Sequence, residues 1–357
     1  MKAESVSIQE NVPLAPYTTF RVGGPARFLI EAKTEAELVE AFRWAAERAA
    51  PVEVVGGGSN LLVPDRGFDG LVIHLAMRGV EQKGPLFDVA AGESWEALVD
   101  LAVAAGCAGI ECLAGIPGSV GATPVQNVGA YGQEVAQTID SVRAFDRQTG
   151  EFVELSAAAC AFRYRRSMFN TEQRGRYVLT RVRFLLRPGG PPFLGYADLQ
   201  RWFKGREAEP TLAEVAAAVR AIRAGKGMVL AADDPDTWSA GSYFKNPVVE
   251  AAKLDGVATA AGVSTDAVPK WSAGEGCVKL SAAWLLERAG FGKGFRLGPA
   301  GLSTKHALAL TNRGGATCAD ILRLEETIRA GVRERFGVTL EREPVMLAQE
   351  ALTGHEA

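Results

Sequence analysis

The chain has 357 residues, 47% of them hydrophobic, which is enough for a large core and for two or three domains. Its 39 basic and 42 acidic side chains leave a net charge of −3, so neither a nucleic-acid binder's footprint nor a strongly basic membrane face is expected. No stretch reaches the about 18 uninterrupted apolar residues of a spanning helix, and the opening MKAESVSIQENVPLAP lacks the apolar stretch of a signal peptide, so no membrane insertion and a cytoplasmic location are expected.

In chain order, ARFLIEA reads as a strand, and TEAELVEAFRWAAERAA as a helix with a Thr34 cap and apolar residues at helical spacing. PVEVVGGG is a strand breaking into a glycine turn, and GLVIHLAM is another strand, completing a small β-α-β-β unit. FDVAAGESWEALVDLAVAAGCAG gives a strand, a helix capped by Ser94 and a stop at Gly106. After a long glycine loop come the strands of DSVRAFDRQTGEFVEL and RYVLTRVRFLLRP, closed by a Pro/Gly cluster. TLAEVAAAVRAIRAGKG opens a helix-rich part. There follow AGSYFKNPVV, KLSAAWLLERAGF, the helix ATCADILRLEETIRAGVRERFG and a final strand, TLEREPVML. The composition shift between about residues 190 and 212 sets a boundary near 205. Residues 1–205 then form an α+β part with sub-lobes 1–75 and 76–205, residues 206–350 a smaller α+β domain, and 351–357 a tail.

Two runs carry donor-rich glycine loops. In VEVVGGGSNLLV a β-branched strand runs into Gly56, Gly57, Gly58, Ser59, Asn60 and Leu61. About sixty residues on, AGIPGSVGATPVQNVGAYG holds Gly115, Ile116, Pro117, Gly118, Ser119, Gly121, Ala122, Gln126, Asn127, Gly129, Ala130 and Tyr131, with almost no charge. Glycine lets a ligand approach the main chain, and small polar neighbours leave N–H and O–H donors facing one volume, which suits a diphosphate. Two such loops suggest a long dinucleotide held at two places. GGGSN is not the GxGxxG of a Rossmann domain, and no acidic ribose ligand follows it.

Other motifs are ambiguous taken singly. FRYRRSMF offers Tyr164 and Arg165, and an arginine grips a carboxylate or phosphate bidentately, although a surface basic cluster reads the same way. AGSYFKNP presents Ser242 beside a glycine; it also reads as a strand-ending turn, and with no histidine near it in sequence a hydrolase nucleophile is not expected. LEREP sets Glu341 and Glu343 on one side of a strand, in a site or in solvent. The cysteines, Cys107, Cys112, Cys160, Cys277 and Cys318, form no CxxC and read as free thiols. The scattered His74, His306 and His355 argue against a metal site or a Ser-His-Asp triad.

Taken in order, NVPLAPYTTFRVGG, VVGGGSNLLV, AGIPGSVGATPVQNVGAYG, FRYRRSMF, AGSYFKNP, KLSAAWLLERAGFGKG, STKHALALTN and LEREPV resemble the bacterial UDP-N-acetylenolpyruvoylglucosamine reductase family, from about Asn11 to Met346. The resemblance implies a vanillyl-alcohol-oxidase (PCMH) type FAD-binding fold of two α+β sub-lobes, and a C-terminal domain closing over substrate. It implies non-covalent FAD, NADPH as hydride donor, a UDP-sugar substrate, and a step in peptidoglycan precursor synthesis by what we take to be a monomer. It gives Ser242 as proton donor, Arg165 as holder of the enolpyruvyl carboxylate and Glu343 as the acid of the terminal motif, selected over Glu341 although LEREPV departs from the usual LEPEV. Tyr164, Lys226 and Asn246 fall on substrate-binding positions, and Tyr196 in GYADL on the closing loop of the loop-bearing subclass. The chain also departs from the family at Ala122-Thr123, where many members have Gly-Ala, and in an extended segment, 255–276. An FAD oxidase of the same fold and a non-enzymatic nucleotide-sugar sensor are the alternatives. The first often attaches flavin through His or Cys, which the first loop lacks, and the second does not need Ser242 or Glu343.

Overall fold

The computed structural model describes residues 7–347; the expected tail lies outside them. Strand β1 (Gln9–Pro13) runs antiparallel to β2 (Pro25–Ala32). The side chain of Thr34 accepts the Glu37 N–H and starts helix α1 (Glu35–Glu47), whose Leu38, Ala41 and Ala45 are buried. The helix returns the chain to β3 (Val52–Val55), and a short β4 (Leu61–Leu62) leads to β5 (Phe68–Leu75). The sheet order is β1-β2-β5-β3, with β2, β5 and β3 parallel. Glu31, His74 and Val55 stand level near the carboxyl ends of these parallel strands, and Val55 runs directly into Gly56. The first glycine loop thus leaves the sheet at the edge where open α/β sheets bind ligands.

The second sheet is wholly antiparallel. Strands β6 (Val80–Lys83) and β7 (Leu86–Ala90) precede α2 (Trp95–Ala104), which Ser94 caps. Strands β8 (Ile139–Asp146), β9 (Glu151–Ser156) and β10 (Tyr177–Leu185) complete the order β9-β8-β10-β7-β6. Phe87, Trp95, Leu98, Val182 and Phe184 fill its core. Helix α3 (Ala197–Trp202) and helix α4 (Leu212–Gly225) follow, the latter opened by a reciprocal Thr211–Glu214 capping box. Although α4 lies beyond the boundary expected near residue 205, its Val215, Ala216 and Val219 belong to this second core.

Helices α5 (Leu254–Ala261), α6 (Ala282–Arg288) and α7 (Cys318–Phe336) build a further core around Leu285, Ile321, Leu324 and Ile328. Phe20, Val22 and Leu62 enter it from the start of the chain. The extended segment forms α5 and an edge strand, Lys270–Ser272, paired with Cys277–Leu280. The final strand is much shorter than TLEREPVML suggests: only Val345–Met346 pairs, parallel to β4. Its predecessor Arg342 makes an isolated bridge to Phe244 instead, because the segment is shared between two partners. All five cysteines are free, and burial pushes the Cys160 thiol up to about 11. Among the described residues no helix is long and apolar enough to cross a membrane.

Candidate active site

The two glycine loops meet. The Gly57 N–H donates to Ser119 Oγ at 3.3 Å, and a Cβ on Gly57 would stand 2.7 Å from Gly118 Cα. Gly58, at φ +62°, leaves no room either: a Cβ there would fall 1.7 Å from the Tyr17 carbonyl oxygen. Packing against the second loop and against the Tyr17 segment therefore already requires these glycines, which the composition alone did not reveal. The backbone N–H groups of Gly58, Ser59, Asn60, Gly118 and Ser119 donate to nothing among the described residues. Unpaired backbone donors at two facing loops fit a diphosphate. Gly118 and Ser119 line the smaller of two adjoining cavities, of about 180 and 490 Å³, which share Gly57, His74 and Leu230 and together form a groove. Asn60 Nδ2 ties the loops together by donating to Gln126 Oε1 at 2.7 Å. Asn127 behaves differently: its amide donates to Glu134 and the Arg163 carbonyl and accepts from the Ala136 N–H, so only its backbone is left for a ligand. Gly129 and Ala130 pair with Gln133–Glu134.

At the Asn60 end stand the three residues singled out as catalytic. Residues 243–245 pair with 341–343: the Glu343 N–H donates to the Tyr243 carbonyl at 2.8 Å and the Lys245 N–H to the Glu341 carbonyl at 3.0 Å. This sets Tyr243 opposite Glu343, with Ser242 one residue before it in the chain, and Asn60 Nδ2 reaches the Glu343 carbonyl at 3.3 Å. Glu341 points elsewhere, to an ion pair with Lys245, and is exposed. Tyr243 anchors the pair from below, fully buried and donating to the buried Glu325 at 2.6 Å. Arg165 arrives on a tight turn closed by reciprocal Arg163–Arg166 bonds, with its own φ at +56°, a conformation uncommon for arginine. Its Nε lies 3.4 Å from Glu343 Oε1 and is buried without a hydrogen bond. The Ser242 hydroxyl also has no hydrogen-bond partner among the described residues.

A second group lies alongside. Lys226 Nζ pairs with Asp198 at 2.7 Å and sits 5.5 Å from the centre of the Tyr131 ring, against which Tyr196 packs edge-on at 5.3 Å. Tyr131, grouped by sequence with the cofactor loops, thus places its ring with Tyr196 and Lys226. Asn246 Oδ1 accepts the Ala282 N–H at the start of α6. Lys279, beside the extended segment, stands 4.5 Å over the Tyr164 ring and brings that segment's sheet to the rim. Sequence reading missed Arg223 and His306, although both stand inside quoted motifs, because neither spacing nor residue type sets them apart there. Arg223 is buried, donates only to the carbonyls of Gly115 and Met228, and is pulled down from its ordinary pKa by that burial. No carboxylate is hydrogen-bonded to it, although the charge of Glu96 acts on it.

His306 accepts the Leu308 N–H at Nδ1. Burial, reinforced by the charges of Lys226, Lys293 and Arg223, pushes it down to about 4. Unfolded, a histidine titrates near 6.5. Between these values the unfolded chain binds a proton that the folded one does not, so stability falls as pH drops from 6.5 towards 4. His306→Gln is expected to flatten the pH dependence of the urea midpoint across this window. An unchanged slope would contradict the neutral ring.

The FAD-binding-domain family model matches residues 26–156, and the model of the UDP-N-acetylenolpyruvoylglucosamine reductase C-terminal domain matches 233–347. These are the two components of the fold expected from the sequence. The reductase of Streptomyces coelicolor is 53% identical over 350 residues, covering 96% of this chain and 91% of that one. That of Streptomyces avermitilis is 49% identical, covering 97% of each chain. The crystal structure of the Thermus caldophilus UDP-N-acetylenolpyruvylglucosamine reductase superposes with a TM-score of 0.66 at 29% identity, covering 96% of this chain and 98% of that one. With identity of this order over nearly its whole length, this chain belongs to the UDP-N-acetylenolpyruvoylglucosamine reductase family.

Proposed function

We propose that the protein reduces UDP-N-acetylenolpyruvoylglucosamine to UDP-N-acetylmuramate, for peptidoglycan synthesis, with non-covalently bound FAD and NADPH. The observation that carries this reading is the approach of Arg165 to Glu343, 3.4 Å apart, on the segment 341–343 that pairs with 243–245, directly after Ser242 in the chain. Held between the two glycine loops, FAD supplies the chemistry of taking a hydride from NADPH and giving it to the enolpyruvyl CH2 carbon. This chain's own residues do the rest. Negative charge moves onto the substrate carboxylate as an enediolate, and the Arg165 guanidinium, with Glu343 donating a hydrogen bond as the carboxylic acid, stabilises it where it develops. The Ser242 hydroxyl delivers a proton to the adjacent carbon. Arg223 and Lys226 bind the negative UDP moiety, with Tyr164 and Asn246 at its sides. FAD-binding residues 1–205 and substrate-binding residues 206–350 form the two parts of the enzyme, with α4 gripping the first from the second. A cytoplasmic monomer completes the reading.

The test is spectroscopic. Purified protein should be yellow and release its flavin to acid or heat, NADPH should bleach it, and the enolpyruvyl sugar should restore the colour. Colour restored only by oxygen would indicate an oxidase, and colourless protein a sensor.

The loop-bearing subclass assignment rests on Tyr196, which caps α3 and stays exposed beside Tyr131. Tyr196→Ala is expected to weaken substrate binding about tenfold, the loss of about one good contact, while slowing flavin reduction by NADPH less. Equal effects on both would remove Tyr196 from substrate closure.

A further inference from the structure

Among the polar side chains of the groove that the reaction does not use, His74 occupies a particular place. His74 lines both cavities, shared only with Gly57 and Leu230. It stands near the carboxyl end of β5, level with Glu31 and with the last residue before the first glycine loop. Its Nδ1 faces Glu31 Oε1 at 3.6 Å, buried and without a hydrogen bond, and Tyr17 meets the ring edge-on at 5.3 Å. The ring is thereby fixed between β2 and the N-terminal segment. The other nitrogen, Nε2, has no hydrogen-bond partner among the described residues, and the residue lines the groove.

The first loop has a direction. Its Asn60 end touches Gln126 and the Glu343 carbonyl, and its Gly57 end touches Ser119 and lines both cavities with His74. A dinucleotide whose redox ring lies near Glu343 must run its diphosphate along the unpaired N–H groups and end at the Gly57 side. Here the smaller cavity continues past His74 to Arg78, Glu93 and Pro117. We propose that His74, braced by Glu31, binds the AMP half of FAD, hydrogen-bonding its ribose–phosphate through Nε2. The proposal rests on the reading that the protein binds FAD.

FMN lacks the AMP half and ADP lacks the flavin, so the two separate the ends of the site. Flavin would be released from the full-length protein by mild acid, and the apoprotein titrated with FAD and FMN by flavin fluorescence, and with ADP by competition against FAD. His74→Ala is expected to weaken FAD and ADP about tenfold, as for one lost hydrogen bond to a charged or polar ligand, with FMN unchanged. His74→Gln, which keeps a donor and an acceptor at similar reach, should recover part of the loss. Unchanged FAD and ADP affinity in His74→Ala overturns the proposal. So does an equal loss for FMN, or a lowered thermal midpoint of the apoprotein in both variants, since either makes His74 a support of the loop alone. Wild-type apoprotein that binds neither FAD nor ADP would instead overturn the flavin reading itself.

Discussion

Replacing Ser242 with alanine should leave the bleaching of the flavin by NADPH near its normal rate and slow the return of colour with the enolpyruvyl sugar by about 100-fold or more, the usual worth of a positioned general acid. The first half of the cycle moves a hydride and asks nothing of the hydroxyl. The second cannot finish until the neighbouring carbon gains a proton, and Ser242, directly before the segment paired with 341–343, holds a hydroxyl with no hydrogen-bond partner among the described residues. Glu343→Gln and Arg165→Met should show the same asymmetry, because the charge they meet appears only in the second half. Since the two are already paired at 3.4 Å, their losses should not add. Stopped-flow absorbance resolves both halves. If Ser242→Ala slows bleaching while recolouring proceeds normally, the serine is a binding residue and the donor lies elsewhere.

Gly118→Val should yield folded protein with flavin content below about one tenth of wild type. Gly118 sits at φ +125°, a region closed to a β-branched residue. The added Cβ would lie 2.7 Å from Ser59 Oγ, so the second loop must retreat from the first and the unpaired N–H groups cease to converge. Gly121→Val should act similarly by a different contact, since its Cβ would meet that of Ala91 at 2.5 Å. Flavin content is read from the absorbance ratio, and circular dichroism checks the fold. A Gly118→Val protein loaded one-to-one would show that the loops tolerate separation.

Local structure was legible because local chemistry decides it. Thr34 and Ser94 cap the helices their positions announce, and the β-branched run 52–55 breaks where the glycines begin. Sheet order was not legible, because the pairing of β10 with both β7 and β8 depends on contacts far apart in sequence. The terminal strand was overread: alternation in TLEREPVML fits a ladder, but Arg342 and Val345 answer to different partners. In the site, Arg165 and Glu343 stand in recognisable motifs, and the structure adds their 3.4 Å approach. Arg223 and His306 escaped notice because what distinguishes them is burial, and burial is not written in residue type.

The short pairing of Leu61–Leu62 with Val345–Met346, reinforced by Asn60 reaching the Glu343 carbonyl 283 positions away, fastens the first glycine loop to a stretch made long after it. During synthesis that fastening has no partner until residues 343–346 have been made. The first lobe can acquire its helix and parallel strands early, from neighbours in sequence, but its loop stays without this brace until those residues leave the ribosome. Closure over so long a span belongs among the late events of folding. Arrival of Glu343 and completion of the cradle thus become one event, and a chain cut before residue 343 lacks both that carboxyl group and the brace.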